Sequence, residues 1–159
     1  MIGSLEAGPD LMASLILRPF PSLATGYYPR GYSTPEEARM EGGPLDRLGR
    51  PLHTIEEFLA GNAPYASAAL DSDALPYGTI FFCPEIGKRY SVSFDGIVFR
   101  AVDTGSAFKN MGLSRVDFCV AGKQASLHRI GNMRGVILYI LCLKSEGQAL
   151  GELDRILES

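Results

Sequence analysis

VFRAVDTGSAFKNMGLSRVDFCV, residues 98–120, holds two apolar runs joined by a polar, glycine-containing loop. The first run ends in Asp103-Thr104-Gly105, and the second carries Asp117 between Val116 and Phe118. Runs rich in Val and Phe, bounded by turn-forming residues, are strand-like. A carboxylate inside an apolar β run is costly to bury unless it is paired or hydrogen-bonded. Two strands around one loop thus deliver two aspartates whose presence needs a reason beyond packing.

Outward from this stretch the pattern stays mainly β. Strands are expected at 24–28, 66–70, 79–83, 90–94, 97–102, 116–120 and 136–143. Asp95-Gly96 is a two-residue hairpin signal, and Pro76-Tyr77-Gly78 is a turn leading into a strand. Short strands with irregular, non-repeating connections fit a small closed barrel. Helices punctuate it. Thr34-Pro35-Glu36-Glu37 and Thr54-Ile55-Glu56-Glu57 are helix starts with capping boxes, and Gly42-Gly43-Pro44 and Gly61-Asn62 are their stops. A short helix is also expected at 10–17 with Asp10 as N-cap, followed by an extended segment forced by Pro19 and Pro21. Ser145 and Gln148 open a C-terminal amphipathic helix whose apolar face is Leu150, Leu153, Ile156 and Leu157. The expected organisation is an N-terminal arm (1–23), a barrel domain (24–143) and a C-terminal helix (144–159).

At 159 residues the chain has the length of one domain, and 46% hydrophobic with 21% charged residues gives it a real core. A net charge of −3 without any Lys/Arg cluster argues against nucleic acid as partner and leaves a neutral polymer such as a polysaccharide open. No apolar run reaches the length of a membrane span, and Leu11–Leu17 lacks the flanks of a signal peptide. Cys83, Cys119 and Cys142 stand in apolar runs with no C-x-x-C spacing, so the sequence implies no zinc, no other metal and no cofactor. They read as buried free thiols, although in a secreted protein two of the three can pair. His53 and His128 are each isolated and read as loop or surface residues.

Asp71 is a third aspartate at the edge of a β run: it follows 66–70 and precedes the Pro76 turn. Carboxylates gathered at one barrel mouth disfavour each other's ionisation, so one keeps its proton toward neutral pH. That supplies a general acid of the kind glycosidic-bond cleavage requires. Each aspartate can instead cap its own turn. That reading is weakest for Asp117, which Val116 and Phe118 flank and no turn residue follows.

Taken in order, Leu75-Pro76-Tyr77-Gly78-Thr79, Ala101-Val102-Asp103-Thr104-Gly105-Ser106-Ala107-Phe108-Lys109 and Arg115-Val116-Asp117-Phe118 resemble the three-aspartate (3D) domain. This is a double-psi β-barrel shared with the membrane-bound lytic transglycosylase A family. Thr25-Gly26-Tyr27-Tyr28-Pro29 is similar to the first-strand segment of those transglycosylases, and the likeness runs from about 24 to 143. The family's second glycine is Ser106 here, the glycine after its lysine is Asn110, and the loop from Asp103 to Asp117 is longer. The resemblance implies a six-stranded double-psi β-barrel and cleavage of peptidoglycan glycan strands by lytic transglycosylation. Asp117 is then the catalytic acid/base and Asp103 its charge-stabilising partner. Thr104 and Gly105 set the turn and offer backbone donors, with Asp71 in support. Lys109 is a substrate-binding candidate or a solvated surface group. Tyr27 and Tyr28 are a sugar-stacking face or core.

Two rival readings accompany this one. A hydrolase of another β-1,4-glycan needs a second carboxylate to activate water, and Asp103 fits that role. A non-catalytic reading takes the apolar N-terminal arm and the lack of a leader as signs of a subunit in a larger assembly, such as a phage tail or baseplate. The barrel is then a structural plug, a glycan-binding module or a virion-borne enzyme. The expected place of action is the bacterial cell wall or periplasm, or a virion that reaches it.

Overall fold

The computed structural model describes residues 15–143. Six strands close into a barrel: β1 (Leu15–Tyr27), β2 (Ala66–Ala69), β3 (Thr79–Phe82), β4 (Phe99–Asp103), β5 (Arg115–Cys119) and β6 (Met133–Leu143). Around the barrel their order is β1-β5-β2-β4-β3-β6. β1 runs parallel to β5 and β2 parallel to β4, while the remaining neighbours are antiparallel. The mixed, closed six-stranded sheet is the double-psi barrel expected from the ordered motifs. Among the described residues, no helix is long and apolar enough to cross a membrane. The expected C-terminal helix lies outside the described residues.

The core explains why these strands close. Phe81, Phe99 and Phe118, from β3, β4 and β5, are each 0% exposed. The three rings pack in a triangle, with centroids 5.5 Å apart for Phe81 and Phe99, 4.7 Å for Phe99 and Phe118, and 6.2 Å for Phe81 and Phe118. β2 is Ala-Ser-Ala-Ala and wholly buried, which lets the backbones around it approach a crowded centre. A second buried cluster, which includes Tyr27, Leu52, Ala69, Val102, Phe108 and Cys119, lies against the first.

Three differences from the sequence reading have physical causes. Residues 15–17, expected as the end of a helix, and 18–23, expected as an extended arm, form the first part of β1. Pro19 and Pro21 share strand parity, so their missing N–H groups fall on one edge. Over this segment β1 pairs only with β6, and its ladder to β5 starts at Leu23. Proline is tolerated on such an open edge.

The expected strand at 90–94, with its Asp95-Gly96 hairpin, does not form. A helix over Pro84–Arg89 runs into that region, with Pro84 in its first turn and Tyr90 as its C-cap. Ser91 then turns the chain with φ of +59°, and a tight turn closes Gly96 N–H onto the Ser93 carbonyl. A helical turn over Ala125–Ile130, not anticipated, bridges β5 to β6.

Both threonine caps form, but only one of the two expected capping boxes does: the Glu37 carboxylate accepts the Ser33 N–H instead of that of Thr34. Thr34 caps α1 (Pro35–Glu41) and Thr54 caps α2 (Ile55–Leu59), which has a complete capping box with Glu57. The Pro84–Arg89 helix is α3. All three cysteines are free, Cys83 and Cys119 being buried.

Candidate active site

Register places the two aspartates. Ala69 of β2 lies opposite Asp117 of β5 on one side and Asp103 of β4 on the other. Two strand spacings of ~4.8 Å therefore separate the aspartate backbones, with only an alanine methyl group between. Strict alternation would turn Asp103 the same way as Phe99 and Ala101, into the core. The β2–β4 register slips between Ala68 and Ala69, so that Ala68 faces Ala101 and Ala69 faces Asp103. This bulge rephases β4 and brings Asp103 level with Ala69 at the barrel mouth, as bulges beside functional sites often do.

A cleft of about 430 Å³ opens there, and Asp103, Asp117, Thr104 and Gly105 all line it. Thr25, in register with Asp117 across β1–β5, donates its hydroxyl to Asp117 Oδ1 at 3.1 Å. The Tyr27 hydroxyl donates to Asp103 Oδ2 at 3.1 Å. Burial pushes the Asp117 carboxyl up to about 7, with Glu41 and Asp103 adding to the rise and Thr25 and Arg115 opposing it. Burial also raises Asp103, against hydrogen bonds from the Thr104 backbone and Tyr27. The cleft thus holds one acid able to keep its proton at neutral pH beside a second carboxylate.

Three charged residues of the cleft escaped the sequence reading: Arg39, Glu41 and Arg115. Glu41, at the end of α1, lines it, and its Oε1 accepts the Tyr28 backbone N–H at 3.1 Å. Nothing local in the sequence shows that α1 folds over the barrel mouth. The tether is tertiary, as the Tyr28 hydroxyl also donates to Glu37 of the same helix. Arg115 also lines the cleft, and its signal was available: it stands two residues before Asp117 on one strand, hence on the same face. Replacing Glu41 with Gln removes a negative charge that favours protonated Asp117. The Asp117 carboxyl should then titrate lower, by a fraction of a unit since burial is the larger cause. Carbon-13 NMR of the side-chain carboxyls checks this.

Other candidates sit elsewhere. Asp71 is buried and lines a separate hollow with Asn110 and Gly112, not the aspartate cleft. Its Oδ2 accepts the Gly112 N–H at 3.0 Å and its Oδ1 the Asp73 N–H at 3.1 Å, so it pins the loop that leads into β5. Asp71→Ala leaves both donors without that acceptor. It should cost about 1–3 kcal/mol and strip the Gly112 amide of its protection from hydrogen exchange.

The stacking role considered for Tyr27 and Tyr28 fails on exposure: they are 5% and 4% exposed, so neither ring presents a face. Tyr27 instead serves Asp103, and Tyr28 serves α1. Lys109 is exposed on the loop, outside the cleft lining. Asn110, standing where the 3D pattern has glycine, adopts φ of +64°, a conformation asparagine tolerates better than most residues. Ser106 is exposed and opens a helical turn over Ser106–Phe108, whose Phe108 is buried. Among the described residues, no group of three His, Cys, Asp or Glu side chains is placed to hold a metal ion.

Fold and cleft together define an acidic site at the mouth of a double-psi barrel. No family model and no curated protein matches the chain. Among solved structures, it is similar to a crystal structure of MltA from E. coli, at 21% identity and a TM-score of 0.41, over 64% of this chain and 28% of that one. It is also similar to E. coli MltA with bound chitohexaose, at 18% identity and a TM-score of 0.41, over 65% and 29%. A further E. coli MltA structure, described as revealing a unique lytic transglycosylase fold, shares 20% identity at a TM-score of 0.40, over 70% and 35%. The chain thus spans about a third or less of the length of these structures.

Proposed function

We propose that the chain cleaves the glycan strands of peptidoglycan by lytic transglycosylation, with Asp117 as the single acid/base. The carrying observation is a carboxyl held up to about 7 in an open cleft that it shares with Asp103. Protonated Asp117 gives its proton to the glycosidic oxygen, and the bond from that oxygen to C1 breaks. The ionised, neighbouring Asp103 stabilises positive charge on the ring, with the Tyr27 hydroxyl fixing its Oδ2. Asp117, now a carboxylate, takes the proton of the sugar's C6 hydroxyl as that oxygen bonds to C1. The product is a 1,6-anhydro sugar, no water is consumed, and Asp117 ends protonated as it began. The place of action on this reading is the bacterial cell wall.

One observation favours a second reading. Asp103 is a second carboxylate lining the same cleft as Asp117, the pair of groups that an inverting hydrolase uses as base and acid. Asp103 is then the base. Digestion of purified sacculi followed by mass analysis separates the two: anhydro-ended fragments mark transglycosylation, reducing-ended fragments mark hydrolysis. No release between about pH 4 and 8, the range in which a perturbed carboxylate titrates, overturns both.

A further inference from the structure

None of the residues of α1 is buried. Helices this short are marginal in water and normally depend on an apolar face packed against the core. Polar bonds hold α1 instead. The Thr34 hydroxyl accepts the Glu37 N–H, the Glu41 carboxylate accepts the Tyr28 N–H, and the Tyr28 hydroxyl donates to Glu37. Its one long apolar side chain, Met40, is 78% exposed, more than any other large apolar side chain among the described residues. Met40 lines the aspartate cleft. The rings of Tyr27 and Phe108 in the same lining are buried, and the rest of it is small, polar or charged. The cleft thus offers a ligand one long apolar side chain, and a helix without a buried residue of its own carries it.

We propose that Met40 is a sugar-contacting residue, its thioether lying against the C–H face of a pyranose ring held beside Asp117, so that α1 forms one wall of a glycan subsite. This rests on the glycan-cleaving reading above and gives that site a specificity-determining residue. A pyranose ring in a β-1,4-linked chain carries hydroxyls around its edge and C–H groups on its faces. A cleft that grips such a ring needs polar partners for the edge and an apolar surface for the face. Asp117, Asp103 and Thr25 supply the first. Met40 supplies the second, and its unbranched, polarizable chain adapts to a surface of uneven shape. Its apolar surface leaves water only when a chain is bound, and α1 then gains the packing partner it lacks in the free protein. The contact reads the shape of the ring and is blind to its charge.

The chain contains no tryptophan, so Met40→Trp puts a single fluorescent reporter on the wall of the cleft. Leu127→Trp, on the exposed turn between β5 and β6 and outside the cleft lining, is the control reporter. Both are made in full-length Asp117→Asn protein, which leaves the sugar chains intact, and are titrated with a peptidoglycan hexasaccharide freed of its peptides. On binding, the Met40→Trp emission should move to the blue and become shielded from acrylamide, while the Leu127→Trp emission should stay as it was. By calorimetry, Met40→Gln in the same background should bind the hexasaccharide about fivefold or more weakly, the scale of burying part of one methionine side chain. That loss should be the same at low and high salt, since no charge is involved. Unchanged affinity in Met40→Gln overturns the Met40 contact alone, as does a Met40→Trp emission that moves no more than that of Leu127→Trp. Failure of the Asp117→Asn protein itself to bind the hexasaccharide overturns the glycan reading together with it.

Discussion

Asp117→Asn is expected to lower release of soluble glycan fragments from sacculi by about 10²–10⁴-fold, while making the fold more stable above neutral pH. The activity loss follows because asparagine can neither give the proton to the leaving oxygen nor recover one afterwards. The stability gain follows from linkage. Asp117 titrates near 3.8 when exposed and at about 7 in the fold, so between those values the folded chain holds a proton that the unfolded chain releases. Stability contributed by that proton is present at low pH and is lost as pH rises through about 7. A three-unit shift corresponds to up to about 4 kcal/mol at pH 8. Asparagine carries no such penalty, and its side-chain oxygen can still accept the Thr25 hydroxyl. Thermal melts should therefore show the variant above the parent at pH 8 and level with it near pH 3.5. A variant that loses activity and stability together at pH 8 would assign Asp117 to packing instead of chemistry.

Phe99→Ala should be the most damaging single substitution in the core. The ring is wholly buried, packs against both Phe81 and Phe118, and anchors the strand that ends in Asp103. Truncation of a buried phenylalanine costs about 3–5 kcal/mol, against a total stability of roughly 5–15 kcal/mol for a typical domain. For a chain of this size the melting midpoint should fall by roughly 6–20 °C. Phe99→Leu, which refills much of the volume, should fall less. Denaturant melts of both variants check the order. At temperatures where Phe99→Ala remains folded, Asp117 should still titrate near 7, since the two side chains lie on opposite sides of the sheet.

What could be read from the sequence was what depends on local order. Asp117 between Val116 and Phe118 stood out because alternation leaves an aspartate on the face opposite two core residues, and the structure places it so. The Thr34 and Thr54 caps, the Pro76-Tyr77-Gly78 turn and most strands were likewise local signals. Gly78 supplies the left-handed φ of +86° that the turn requires. What could not be read depended on partners distant in the chain. Pro19 and Pro21 look like strand breakers until β1 is seen to be paired on one edge only. Glu41 enters the site because Tyr28 ties α1 across the barrel mouth, and no pattern within residues 35–41 announces that. Asp71 carried the same signature as the other two aspartates, yet its acceptors are spent on the Asp73 and Gly112 amides. Only geometry distinguishes a carboxylate that pins a loop from one that faces a cleft.

The slipped register between Ala68 and Ala69 makes the gap between Asp103 and Asp117 a matter of main-chain bonding instead of side-chain pose. The three strands act as a fixed caliper whose jaws are carboxyl groups and whose throat is a single methyl group. The Thr25 and Tyr27 hydroxyls then hold each carboxyl in place on its strand. A barrel of this design gauges the thickness of whatever lies across its mouth. Val102 is the extra residue that sets this opening, since Ala68 faces Ala101 and Ala69 faces Asp103.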